Sequence, residues 1–365
     1  MVERFCLRLA ELVNHDSPSD GTEQEWVAER IAEWLAACGC TSRWVAEPDG
    51  PARSMVVTLS GDGGPAVALL GHTDTVFPLG EAARRPFRRD GERCYGPGVA
   101  DMKGGLLLAV TAMERLAAAP ARPFSEVRLL VCADEETRLR APAVCAEAAG
   151  ARAALVFECA RENGDLVSER KGAIWRTLYL HGRPAHTGAD THRGRSAVSA
   201  LAQEIVRIEG LSAGRPEMTS VVTTVQAGDS ANTVPGEARA TLDIRSSVPD
   251  DLIYALAELG SDGAYDGVTG EIEDRGTWPP MPRTPWLAEL ARTLARDLGL
   301  EIGEQHSGGV SDGCWTGDEG IPTLDGLGPV GGDDHTPAEW IEVETLEPRI
   351  ELAARLVEAV CQRGA

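Results

Sequence analysis

The densest chemistry in this 365-residue chain lies in "VCADEETR", where Asp134, Glu135 and Glu136 follow an apolar run. Adjacent carboxylates at the end of a buried strand repel one another and lose hydration, so something must compensate them. Other apolar runs end in related residues. "LLGHTDTV" places His72 and Asp74 two apart, on one face of an extended chain. "GPGVADMKGG" sets Asp101 before an apolar helix, "VFECA" presents Glu158, and "GGDDHTPAEW" carries His335 in a glycine-rich loop.

Two imidazoles with several carboxylates form the ligand set of a divalent metal site, and the histidines favour zinc. His72, Asp101, the Glu135–Glu136 pair, Glu158 and His335 exceed the needs of one ion, and Asp101 can bridge. That count points to two cations about 3.5–4 Å apart. One of the two adjacent glutamates can bind metal while the other takes a proton from water. Asp74 suits the ring N–H of a ligating His72, which would fix its tautomer. Singly, each residue has an ordinary reading: Asp101 as a helix cap, the acidic pair as solvated surface. The ordered set is far more specific.

These residues need a scaffold that brings strand ends together. "RSMVVTLSG", "PAVALLGHTDTV", "EVRLLVCA" and "AALVFECA" read as strands, and "EWVAERIAEWLAACG" and "GGLLLAVTAMERLAAA" as helices. Near-continuous apolar strands predict a mostly parallel α/β sheet covered by helices, with its site at the strands' carboxyl ends. From Gly172 the pattern becomes β-α-β-β-α-β, a ferredoxin-like order, before "GTWPPMPRTP" interrupts it. The expected organisation is residues 1–171, an inserted domain at 172–284, and a return to the first domain at 285–365.

Composition excludes several functions. Lys+Arg total 35 against 57 Asp+Glu, a net charge of −22 that repels nucleic acid and anionic membrane. No apolar stretch is long enough for a membrane span, and the charged opening "MVERFCLRLAELVNHDSPSD" is unlike a secretory signal. Nine scattered cysteines form no disulfide framework, which fits a cytoplasmic setting. Cys38 and Cys40 read as helix-end residues. "GDGGP" lacks the lysine of a phosphate loop, and "SGGVSDGCW" lacks the form of a serine-nucleophile motif.

The stretches "GHTDTVFPLG", "YGPGVADMKGG", "CADEET", "LVFE", "GRPAHTG", "NTVPGEARATLDIR", "GGVSDG" and "DDHTPAEW" together resemble the two-domain co-catalytic zinc hydrolases. That family includes aminoacylases, acetylornithine deacetylases, succinyl-diaminopimelate desuccinylases and glutamate carboxypeptidases, and the last branch is the most similar. The resemblance implies that His72, Asp101 and Glu158 bind one zinc and that Asp101, Glu136 and His335 bind the other. Cobalt and manganese are alternatives. It implies Asp74 behind His72 and Glu135 as general base. His186 would donate to the oxyanion across a dimer interface, and Asn232 and Arg245 would hold the substrate's carboxylate end. The inserted domain would serve as lid and homodimer contact.

The implied activity is hydrolysis of an amino-acid amide or short peptide with release of a C-terminal amino acid. An N-acyl-amino-acid deacylase is the alternative, and a metal-bound interaction module without turnover is the reading from another class. Two positions depart from the family pattern. Arg138 stands where a glycine is usual, and Cys159 follows Glu158 where proline is common.

Overall fold

The computed structural model describes residues 1–48, 50–137, 140–260 and 265–363. The chain divides into two compact units. One comprises Met1–Arg170, Met281–Ser307 and Ser311–Ala365; the other comprises Lys171–Pro280 and Gly308–Val310.

The first unit is built on a six-stranded sheet, ordered Thr41–Ala46, Arg53–Ser60, Glu126–Cys132, Ala66–His72, Ala151–Val156 and Thr323–Leu324. The last four strands pair in parallel and the first two are antiparallel. The fold is therefore α/β with a mostly parallel sheet, and the Thr41–Ala46 edge strand is an addition to the sequence reading. Every residue of Ala66–His72 is buried, as a parallel strand covered on both faces requires. The helix Gly104–Ala118 buries Leu106–Val110 completely and packs against the helix Leu346–Gln362.

Register decides where the chain leaves this sheet. His72 lies opposite Cys132 and Leu70 lies opposite Val156. Two neighbouring parallel strands thus end level and the third ends two residues earlier, so the acidic segments after them emerge at the same edge of the sheet. A separate antiparallel sheet orders Gly331–Gly332, Trp340–Glu342, Arg93–Tyr95 and Arg88–Asp90. It ties the late loop carrying His335 to the segment leading into Asp101.

The second unit has an antiparallel four-stranded sheet, ordered Thr219–Ala227, Glu237–Ser246, Gly172–His181 and Thr269–Trp278. The helices Ala197–Glu209 and Pro249–Leu259 pack on it and share its core with Ile174, Leu178, Leu242 and Ile244. Side chains alternate in burial along Glu237–Ser246, because one sheet face meets the helices. The Ser196 side chain caps the first helix by accepting the Ser199 N–H, and Pro249 opens the second.

The second unit closes slightly earlier than the expected 172–284. Arg170 and Met281 exchange two backbone hydrogen bonds, at 3.2 and 3.1 Å, so Met281 already belongs to the first unit. Among the described residues, no helix is long and apolar enough to cross a membrane.

Candidate metal centre

His72 is the last residue of its buried strand, and its ring is fixed at both nitrogens. Nδ1 lies 3.0 Å from the Asp74 backbone oxygen and 3.1 Å from Asp74 Oδ1. Nε2 lies 2.9 Å from Asp101 Oδ1 and 3.7 Å from Glu158 Oε1. The other Asp101 oxygen, Oδ2, lies 2.9 Å from His335 Nε2, and Glu136 Oε1 is 3.3 Å from the same nitrogen. One carboxylate therefore faces two imidazoles, each with a further glutamate beside it. His335 has φ 62 and Asp333 φ 57, left-handed backbone that is uncommon outside glycine and recurs at functional sites.

Glu135 and Glu136 occupy a short 3₁₀ turn, Glu135–Thr137, just beyond the Glu126–Cys132 strand. Its position is set by Asp74, fully buried, whose Oδ1 accepts the Glu135 N–H at 3.0 Å and whose Oδ2 accepts the Glu136 N–H at 3.1 Å. Asp74 thus fixes the histidine ring and the glutamate turn together. The two-residue spacing of His72 and Asp74 points only to the first of these tasks.

The electrostatics are those of a cation site. Burial pushes the Glu135 carboxyl far up, against the pull of His72, with Glu158, Asp312 and Glu136 adding to the rise. Burial likewise raises Glu158 strongly and Glu136 less so. Hydrogen bonds to Asp101 and Glu136 raise His335 to about 11. Burial opposes charge on His72, but Asp101 and Asp74 outweigh it and lift that imidazole as well. In the same way, His335 and His72 overcome burial to hold Asp101 well below the usual carboxylate range. Divalent cations binding here would displace the protons that these raised groups favour.

The donor set fits such cations. His72, Asp101 and Glu136 bring ligand atoms within 4.8 Å of one another. A second group, Cys132, Cys145 and Asp312, also converges but is wholly buried. The histidine–carboxylate group is open at His335, whose side chain is 52% exposed, and so can meet a substrate.

Several supporting residues were not found from sequence. Glu339 accepts backbone N–H groups from Gly98, Ala100 and Asp101 at 2.8, 2.8 and 2.9 Å, and so shapes the loop presenting Asp101. Burial raises its carboxyl to about 8 even with these three donors. Ser19 donates to Asp74 Oδ2 at 2.6 Å. Buried Arg170 pairs with Asp325 at 2.7 Å, and Ser311 donates to the same carboxylate at 2.6 Å, which gives the "SGGVSDG" serine a structural task. Cys159 donates to the Pro329 carbonyl at 3.2 Å, and burial pushes its thiol far up, as an inert thiol requires. Arg138 lies outside the described residues.

The second unit carries the remaining expected residues, in two places. His186 pairs with Thr233 in a short ladder, and its Nδ1 accepts the Gly188 and Ala189 N–H groups at 3.1 and 3.2 Å. With Nδ1 an acceptor, Nε2 carries the proton and can donate. The Asn232 carbonyl is held by the Thr187 N–H at 3.0 Å, so Asn232 and His186 belong to one corner. Arg245 lies elsewhere. It is paired with Ala173 near the far end of the strand that begins at Glu237, eight residues or roughly 27 Å away. There it makes a two-point pair with Asp243, at 2.9 and 3.0 Å, and donates to Gly308 O at 2.7 Å. Asn232 is therefore grouped with His186 and not with Arg245.

Comparison with known proteins places the chain in a family. The model of Peptidase family M20/M25/M40 matches residues 68–359. Carboxypeptidase G2 of Pseudomonas sp. is 24% identical over 83% of this chain and 76% of its own length. Succinyl-diaminopimelate desuccinylase of Alkalilimnicola ehrlichii is 30% identical over 83% of this chain and 85% of its own. A tripeptidase structure from Staphylococcus aureus superposes with a TM-score of 0.80 at 20% identity, covering 100% of this chain and 99% of that one.

Proposed function

Since the chain belongs to Peptidase family M20/M25/M40 and is a hydrolytic enzyme, we propose that it cleaves the amide bond of a small substrate and releases a C-terminal amino acid. The observation that carries this reading is Asp101, set between His72 and His335 beside the Glu135–Glu136 turn. His72, Asp101 and Glu158 would hold one divalent cation, and Asp101, Glu136 and His335 the other. Zinc suits the mixed imidazole–carboxylate set, with cobalt or manganese as substitutes. When bound, the cations supply Lewis acidity toward the carbonyl and make water more acidic.

The chain's own groups do the rest. Glu135 accepts the proton of the attacking water and returns it to the leaving nitrogen. Asp74 holds the turn through backbone N–H groups, so the Glu135 side chain is not needed to anchor it. Asp74 keeps His72 in one tautomer. His186 offers Nε2–H to the developing oxyanion. Arg245 takes the substrate's free carboxylate with guanidinium hydrogens left over from the Asp243 pair.

One small substrate cannot touch His186 and Arg245 of the same chain, given the strand length between them. This supports a homodimer in which the inserted domain of one copy lends His186 and Asn232 to the site of another. The nine free cysteines favour a reducing cytoplasm.

Deacylation of an N-acyl amino acid is the second reading, favoured by the 30% identity to a desuccinylase. The same centre serves both reactions; only the recognised flank of the amide differs. A liquid-chromatography screen of peptidyl and N-acyl amino acids with zinc-loaded protein tests this. Release of an amino acid from peptides alone supports the first reading. Turnover confined to succinylated or acetylated amino acids replaces it with the second.

A further inference from the structure

Residues 15–19, between the helices Val2–Val13 and Gln24–Ala36, pack against the candidate metal centre although they supply none of its candidate ligands. Ser19 is buried and donates to Asp74 Oδ2 at 2.6 Å, the length of a charge-assisted O–H···O⁻ bond. The Asp74 carboxylate then receives three donors, Ser19 Oγ and the Glu136 N–H at Oδ2 and the Glu135 N–H at Oδ1, while His72 Nδ1 lies 3.1 Å from Oδ1. A carboxylate offers about four lone-pair sites, and donors on both oxygens hold this one in a single orientation facing His72. Without Ser19, Oδ2 keeps a single backbone donor.

Ser19 is itself anchored. The Ser17 carbonyl accepts the Thr75 N–H at 2.8 Å, directly after Asp74. Asp16 accepts the Gly80 and Ala82 N–H groups, each at 2.8 Å. Buried Lys103, two residues beyond Asp101, donates to the His15 carbonyl at 2.8 Å. Residues 15–19 therefore clasp both the chain after His72 and the chain after Asp101.

We propose that Ser19 is a positioning residue for the metal centre: its hydroxyl locks the Asp74 carboxylate, and through it the His72 ring and the turn carrying Glu135. The proposal rests on the reading of His72 as a metal ligand. It predicts that the hydroxyl, not the packing of this side chain, sets the affinity of the cation held by His72.

Thr and Val at position 19 have the same shape and differ only in the hydroxyl, so their comparison cancels any cost of the added bulk. Metal-free Ser19→Thr and Ser19→Val proteins are titrated with zinc against a chromophoric chelator, and their thermal unfolding is followed without metal. Ser19→Val should bind one zinc about 10- to 100-fold more weakly than Ser19→Thr, the usual effect of losing a partner behind a ligating histidine. Turnover should fall in kcat with little change in KM. In an Asp74→Ala background the Thr–Val difference should vanish, because the hydroxyl acts through Asp74. Equal zinc affinities for the two variants, with normal binding by the unmodified protein, overturn the role of Ser19 alone. An affinity difference that persists in Asp74→Ala also overturns it. Failure of the unmodified protein to bind zinc removes the metal-centre reading and this proposal together.

Discussion

Asp101 stands between two histidines drawn from distant parts of the chain, with Oδ1 2.9 Å from His72 Nε2 and Oδ2 2.9 Å from His335 Nε2. A single carboxylate with one oxygen for each imidazole is the arrangement that lets two like-charged cations share a ligand. Its negative charge lowers their mutual repulsion.

Replacement Asp101→Asn should therefore weaken both ions and not just one. Elemental analysis of protein purified without chelator should approach two ions per chain for the parent and fall below one for the variant. A parent that is fully active with one ion per chain would contradict the shared-ligand arrangement.

The two adjacent glutamates should separate cleanly. Glu135→Gln keeps the turn, because Asp74 holds it through backbone N–H groups. It should retain both ions and lose about 10²–10⁴-fold in kcat, the usual contribution of a general base. Glu136→Gln should lower metal content instead. Near-parental turnover by metal-loaded Glu135→Gln would show that another group takes the proton.

The metal-free chain should lose stability as pH rises. His335 is raised to about 11 and His72 is also raised, so their ion pairs with carboxylates are complete below the unfolded imidazole value of 6.5. They weaken as pH climbs through the raised values. Glu135 and Glu158 are raised as well, so the folded chain again binds more protons than the unfolded one above 4.5. Calorimetric melting of metal-free protein should show a falling Tm between about pH 5 and 9. Added zinc should raise Tm increasingly over the same range, since ligands must shed protons to bind metal. A metal-free Tm that rises with pH would contradict the proton-filled site.

Arg245 and His186 should fail in different ways. Arg245→Ala should cut kcat/KM for a substrate with a free carboxylate by about 10- to 100-fold, leave metal content intact, and matter little once that carboxylate is amidated. His186→Ala should mainly lower kcat. Mixed dimers of His186→Ala and Glu135→Gln chains should regain activity, because one site in each then has both groups. Absence of rescue in verified heterodimers would confine His186 to its own chain.

Much of the candidate site was legible because it is written locally. An apolar run predicts a strand, the two-residue repeat puts His72 and Asp74 on one face, and Glu135, Glu136 and Glu158 directly follow such runs. The alternation from Gly172 onward likewise announced the antiparallel second unit. Tertiary structure alone decided which distant groups meet. Ser19 reaches Asp74 across 55 positions, and Glu339 reaches the Asp101 N–H across 238. Asn232 joined His186 instead of Arg245 because strand register, not motif order, places a side chain at one end of a sheet or the other. Local periodicity fixes the face on which a residue emerges. Its partners are chosen by long-range pairing and by the need of each buried polar group for a hydrogen bond, and neither leaves a repeat in the sequence.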